Sequence, residues 1–327
     1  MERPPTDPCL VITDGRAGNV RQARALAAAM GFQDAPHLTL VPHRPWRWLA
    51  PRIAPGCTMA FGRDFTRALD APPALAIGCG RQAALATRLL RARGARVVQV
   101  LDPRMPSSHW DVVVAPEHDG LAGDNVVTLV GSLNPVDDAW LAEAHASFSI
   151  LSPLAQPRVA LLVGGESDYV PGYDGTALAR DLHRLADALR RDGGTLLATT
   201  SRRTPVAWCD ALRTHSRDIA GLRWFAPSHA GLDDAENPYP GLLAWADRVV
   251  CTADSVNMLS EACATRVPVH VLGGDRVRGR LQQFHAALQA RGRVQALADL
   301  GAPGAPVEPL RETGRVAGEV LARLDLA

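Results

Sequence analysis

The chain has 327 residues, 47% of them hydrophobic, and a formal net charge of +1 from 35 basic and 34 acidic side chains. That length predicts two domains of ordinary size, and a charge balance this close to neutral gives no electrostatic case for nucleic acid. Lysine is absent, so every basic side chain besides histidine is Arg. This excludes a Lys Schiff base and a Walker-type phosphate loop, and leaves Arg, backbone N–H groups and hydroxyls to hold any phosphate.

The six cysteines (Cys9, Cys57, Cys79, Cys209, Cys251, Cys263) form no C-x-x-C pair. They read as buried thiols of a reducing compartment. The N-terminal Met1-Glu2-Arg3-Pro4-Pro5 lacks a signal-peptide core, and no stretch is long and apolar enough to span a bilayer. The expected location is the cytoplasm, or peripheral on the cytoplasmic face of the inner membrane.

Cys9 to Thr13 reads as a first strand. The glycine-punctuated turn Asp14-Gly15-Arg16-Ala17-Gly18-Asn19 follows, then a helix over Val20 to Met30 with Gly31 at its C-cap. The turn is not G-x-G-x-x-G, so the dinucleotide fingerprint is absent. It still gathers Asp14, Arg16, Asn19 and Gln22 where α/β proteins bind ligands, at the carboxyl edge of a sheet. In His43-Arg44-Pro45-Trp46-Arg47-Trp48-Leu49-Ala50-Pro51-Arg52, two Trp alternate with Arg. Such a segment either packs on the domain with Arg at its rim or docks on an acidic lipid surface.

Ala74 to Ile77 reads as a strand, and Gly78-Cys79-Gly80-Arg81-Gln82 opens a helix to about Ala92. Arg81 in its first turn suits an anion, although a tight turn needs the same glycines. Strands follow over Arg96 to Leu101, Trp110 to Ala115 and Asn125 to Val130. The second of these ends in Pro116-Glu117-His118-Asp119-Gly120. His118 and Asp119 stand where a general base would be useful, or they cap the loop. Strands alternating at βα spacing predict a parallel sheet.

The Pro-bounded Ser152-Pro153-Leu154-Ala155-Gln156-Pro157 is the best domain boundary. Arg158 to Val163 then restarts the pattern as a strand closed by Gly164-Gly165. Thr176 to Arg191 is an amphipathic helix, and Thr195 to Thr199 a strand. The next turn, Thr200-Ser201-Arg202-Arg203-Thr204-Pro205, sets hydroxyls and guanidiniums at a helix start with Pro205 in its first position, a good anion site. After a helix over Leu242 to Asp247, the run Val249 to Leu272 reads as strand, loop, helix, strand. Asp254 and Ser255 suit the N-cap, the helix start suits a phosphate, and Glu261 is an acid in a small, apolar helix that needs a partner. Gly273 to Arg276 turns into a helix over Arg280 to Arg291. Gly301 to Pro309 reads as a loop and Leu310 to Leu324 as a terminal helix.

Strand, small loop, helix with Ser260-Glu261, then a strand led by Pro268 resembles the nucleotide-sugar site of the GT-B class, as in the peptidoglycan N-acetylglucosamine transferase. More closely, the chain resembles the family of the plant mitochondrial-fission "elongate mitochondria" protein and its bacterial relatives, described as glycosyltransferases. The motifs that carry this are Thr13 to Asn19 with Gln22, Gly80-Arg81-Gln82, Pro116-Glu117-His118-Asp119, Thr200 to Pro205, and Thr252-Ala253-Asp254-Ser255-Val256-Asn257-Met258. They span nearly the whole chain in order. One departure is Arg266, where a helix-ending glycine is expected. A non-glycine residue at a left-handed C-cap costs about 1 kcal/mol.

The resemblance implies an α/β fold of two Rossmann-like parallel-sheet domains facing across a cleft. Residues 1–151 would be the acceptor side, 152–157 a linker, 158–309 the nucleotide-sugar side, and 310–327 a C-terminal helix that can return to the N-terminal domain. The implied activity is transfer of a sugar from a nucleotide-diphosphate sugar to a cell-envelope or other glycan or lipid acceptor. No cofactor is implied, and with no Asp-x-Asp in the chain no metal clamp. Thr200, Ser201, Arg202, Arg203, Ser255, Val256 and Asn257 would hold the diphosphate, with Asp254 left to cap its loop. Glu261 would take the ribose hydroxyls. Asp14 or the His118–Asp119 pair would be the base, and Arg16, Asn19, Gln22, Arg81, Gly164 and Gly165 would line the cleft, which closes to exclude water. Two alternatives remain: an epimerase or hydrolase of sugar nucleotides on the same fold, and a non-catalytic adaptor at a membrane, since the eukaryotic relatives are associated with recruiting a fission dynamin.

Overall fold

The structure, a computed structural model, describes residues 8–216, 223–225, 238–300 and 307–326. In chain order its first elements are β1 (Cys9–Thr13), α1 (Ala17–Ala29), β2 (His37–Thr39), α2 (Trp46–Leu49), α3 (Arg63–Asp70), β3 (Leu75–Cys79), α4 (Arg81–Arg91), β4 (Arg96–Val100), β5 (Val112–Pro116) and β6 (Val126–Leu129). Then come α5 (Asp138–Ser147), β7 (Arg158–Val163), α6 (Gly175–Asp192), β8 (Thr195–Thr200), α7 (Val206–Ser216), β9 (Arg223–Phe225), α8 (Tyr239–Trp245), β10 (Arg248–Thr252), α9 (Val256–Cys263), β11 (Val269–Leu272), α10 (Arg280–Ala290), β12 (Val294–Ala296) and α11 (Thr313–Arg323). They form two compact units, Met1–Pro135 with Glu312–Ala327, and Val136–Arg311.

In the first unit, the described strands make one parallel sheet in the order β2-β1-β3-β4-β5-β6. Its strands are rich in Val, Ile and Leu because both faces are covered, as parallel sheets require. Alternate residues divide between the faces. Val11, Ile77, Val98, Val100, Val112 and Val114 pack with Leu26 of α1 and Val316 and Val320 of α11. Ile12, Ala76, Val97 and Val113 pack with Phe65 and Leu69 of α3 and Leu85 and Leu89 of α4. The C-terminal helix thus belongs to this unit. Glu312 accepts from Val130 N at 3.0 Å and Thr313 Oγ1 donates to Asn134 O at 2.8 Å.

In the second unit the described strands order β12-β11-β10-β7-β8-β9, again all parallel. Counted within the unit this is the 3-2-1-4-5-6 order of a doubly wound dinucleotide-type sheet, whose switch point lies between β7 and β10. Residues 136–151 group with this unit. Trp245 of α8 stacks on His145 of α5 with ring centroids 3.6 Å apart, and donates from Nε1 to His145 O at 3.0 Å.

Some elements were not legible beforehand. β2, three residues long, carries no periodicity. α1 starts at Ala17, ahead of the expected Val20, so that Asn19 lies in its first turn, where it donates to Asp14 at 2.9 Å. The terminal helix is shorter than the expected 310–324. Of the loop expected over Gly301 to Pro309, residues 301–306 lie outside the described residues, as does the Met1 to Pro5 segment.

The expectation of a left-handed residue at Arg266 is corrected. α9 ends on Ala264 with right-handed φ −80°, ψ −9°, and Arg266 is not among the positive-φ residues. Other groups take the helix's last carbonyls. Arg293 donates to Cys263 O at 3.0 Å and Thr265 O at 3.1 Å, and Arg311 Nε to Ala264 O at 3.0 Å. Arg266 itself pairs with Asp138 at 3.0 Å. No glycine is needed where guanidiniums cap the helix.

Candidate functional site

The β7/β10 switch point is built by three loops at the carboxyl edge of the second sheet. Thr252, the last residue of β10, accepts from Gly164 N at 2.8 Å and donates to Asp254 Oδ1 at 2.7 Å. Asp254 Oδ2 accepts from Gly165 N at 2.9 Å and from Arg203 at 2.8 Å. The Asp254 side chain is 3% exposed. Its charge is therefore matched within the protein, and it ties the loops after β7, β8 and β10 into one floor.

The glycines are required here by space. A Cβ on Gly164 would lie 2.3 Å from both Asp254 carboxylate oxygens, and one on Gly165 would lie 2.6 Å from Arg203 O. The turn after β8 is closed by Thr204, which donates to Val163 O at 3.0 Å and also to Gly164 O, and accepts from Ser201 N at 2.9 Å. Ser201 Oγ accepts from Arg203 N at 3.1 Å. Ser201 and Arg203 thus hold the turn. Arg202 is exposed and has no partner among the described residues. Thr200 is buried, and its hydroxyl has no partner among them either.

Ser255 is the N-cap of α9, its side chain accepting from Met258 N at 3.4 Å. Val256 and Asn257 are half-buried, and their backbone N–H groups in the first turn have no intrahelical acceptor. Glu261, one turn and a half in, is 2% exposed and has partners within the chain. β8, β7 and β10 bring all eight expected diphosphate and ribose residues, with Gly164 and Gly165, to one edge of this sheet.

The roles of Thr252 and Thr204 in tying the loops together, and one further support, were not anticipated. His285 of α10 is buried, with Nε2 2.8 Å from Ala253 O, and so steadies the β10–α9 loop. Burial holds its pKa below the usual 6.5, as it does that of His270. A histidine kept neutral in the fold but free to protonate when unfolded stabilises fully above 6.5. That contribution is lost as pH falls below 6.5, because the unfolded chain then binds more protons. Urea midpoints are expected to drop between about pH 7.5 and about pH 5.5, and His285→Gln to drop less. A single His beside a helix of ordinary composition gives no sequence signal for this role.

In the first unit the switch point lies between β1 and β3. Asp14 accepts from Asn19 Nδ2 at 2.9 Å and Arg16 N at 3.1 Å, and Arg16 Nε lies 3.4 Å from it. A Cβ on Gly80 would lie 2.6 Å from Asn19 Nδ2, so the glycine admits the Asn that orients Asp14. Gln22 is buried in α1. Arg81 donates to Arg47 O at 2.8 Å, joined by Gln82 at 3.0 Å. Its guanidinium, on an exposed residue, thus also holds backbone. His118 and Asp119 sit in a short turn after β5 and are half-buried, each with partners. β5 is three strands from β1, about 14 Å at normal strand spacing, so the sheet does not gather them with Asp14.

Two parallel α/β units with these topologies define a GT-B-like fold. The UDP-GlcNAc 2-epimerase of Methanocaldococcus jannaschii is similar, with TM-score 0.62 and 12% identity over 98% of this chain and 100% of that chain. That of Neisseria meningitidis, bound to UDP-GlcNAc, gives TM-score 0.54 and 11% identity over 98% and 100%. The chain belongs to the Mitochondrial fission ELM1 family, whose model matches residues 17–324. The mitochondrial fission protein ELM1 of Arabidopsis thaliana is 29% identical over 252 residues, 68% of this chain. The chain spans 57% of that relative's length.

Proposed function

We propose that the protein is a metal-independent glycosyltransferase that binds a nucleotide-diphosphate sugar on its second unit and transfers the sugar to a glycan or lipid-linked acceptor. The observation that carries this is Asp254. Three donors absorb its charge, and the loops it binds leave the first turn of α9 as an anion-accepting edge at a sheet switch point. The diphosphate would meet Val256 N, Asn257 N and the Arg202 guanidinium, with Ser201, Ser255 and Thr200 beside them. Arg203 acts through Asp254. Glu261 would accept from the ribose hydroxyls. Asp14, oriented by Asn19, is the favoured base on the first unit, with the His118–Asp119 pair as the other candidate. The structurally similar epimerases act on UDP-GlcNAc, which makes a uridine nucleotide the first donor to try.

Thermal-shift measurement with UDP, GDP, CMP and their sugars tests this. A ligand at 100 times its Kd stabilises by about 2.7 kcal/mol, a readily measured rise in Tm. Product analysis with the sugar nucleotide alone then separates transfer, which needs an acceptor, from epimerisation or hydrolysis. No stabilisation by any nucleotide would leave the adaptor alternative.

A further inference from the structure

The segment from β2 to α3 carries apolar side chains that the fold leaves outside. Val41 is 70%, Trp48 61%, Ile53 51% and Met59 73% exposed. Among the described residues the other large exposed hydrophobics are spread singly along the chain, which needs no explanation. This segment is nonetheless firmly held. Arg81 and Gln82 donate to Arg47 O, Arg88 donates to Pro51 O at 2.6 Å, and His43 N donates to Ala60 O at 2.9 Å. Cys57, Ala60 and Phe61 are buried beneath it, and Trp46 packs against the same core.

Its charge has one sign. No carboxylate occurs between Asp34 and Asp64, whereas Arg44, Arg47, Arg52 and Arg63 are all exposed. The Arg44 guanidinium lies 5.4 Å over the Trp48 ring. Tryptophan with flanking arginines suits the headgroup layer, where the ring and the Arg stems meet apolar chains and the guanidiniums meet phosphate. An ordinary protein-binding patch would be poorer in uncompensated charge at its centre.

We infer that this segment docks the protein on the surface of an anionic lipid bilayer. β1 and β2 run parallel with Thr13 opposite Thr39, so the docking segment leaves the same sheet edge as the Asp14 loop. A lipid-linked acceptor would then be presented to the first unit where it emerges from the membrane. The docking itself does not depend on the nucleotide site.

The test is flotation of the full chain with phosphatidylcholine vesicles, with and without phosphatidylglycerol. Partition is expected only on the anionic vesicles, and is lost in about 1 M salt, where the Debye length is about 3 Å. Arg47→Gln with Arg52→Gln is expected to weaken it about 30-fold, and Trp48→Ala with Met59→Ala to weaken it comparably, neither pair shifting the urea midpoint. Equal partition on neutral vesicles, or unchanged partition of both pairs, would overturn the inference. So would the absence of partition on any vesicle, which would leave the patch to a protein partner.

Discussion

Gly164→Ala is expected to abolish nucleotide binding and to destabilise the second unit by about 3 kcal/mol. The added methyl would occupy the place of the Asp254 carboxylate, 2.3 Å from both its oxygens. That carboxylate has nowhere to move without releasing Thr252 Oγ1, Gly165 N and Arg203. Each released hydrogen bond to a buried charged group is worth about 1.5–3 kcal/mol, discounted here for Arg203, which is more than half exposed. Urea denaturation measures the stability change, and titration with the donor measures the binding. Gly318→Ala is the control. It lies in α11 with open space around it, and is expected to stabilise by about 1 kcal/mol. Wild-type affinity in Gly164→Ala would show that the Asp254 floor does not shape the site.

Arg293→Met is expected to cost about 3 kcal/mol as well, for a reason that lies at the other end of α9. Arg293 is 3% exposed and donates to the carbonyls of Cys263 and Thr265. Methionine of similar length leaves the Thr265 carbonyl without this donor, leaves Cys263 O with only Leu310 N at 2.8 Å, and removes a cation from the negative end of the helix dipole. Desolvation lowers the guanidinium's pKa from its usual value, but Arg stays charged at neutral pH. Lysine is not expected to rescue, since one ammonium cannot span two carbonyls in the fork geometry of a guanidinium. Urea midpoints of the two variants and the wild type check this, and a loss below about 0.5 kcal/mol would contradict it.

These two residues show what the sequence made legible. The βα rhythm was visible because buried parallel strands demand β-branched runs, and β7 matches the expected Arg158 to Val163 at both ends. The motif around Asp254 was visible because helix caps and small residues sit at fixed offsets from a strand. Asp254's part in binding its loop follows from charge alone, since a carboxylate this buried must be neutralised. Long-range contacts were not visible. Nothing local connects Gly164 to Asp254, 90 positions away, or Arg293 to the end of α9, and the sequence offers Gly164 only as a cleft-lining position, with no sign that it is there for space. The bond from Arg81 to the Arg47 carbonyl, 34 positions away, was equally invisible. The grouping of residues 136–151 with the second unit rests on the His145–Trp245 stack, a pairing across 100 positions that no periodicity announces.

The most direct measurement is calorimetric titration of the best nucleotide sugar from the thermal screen into wild type and Glu261→Ala, after a cooperative unliganded melt confirms that the variant is folded. The proposed role of Glu261 as acceptor for the ribose hydroxyls predicts affinity at least about tenfold weaker, from hydrogen bonds to a charged group of about 1.5–3 kcal/mol. Unchanged affinity would contradict the assignment of the donor site to the start of α9.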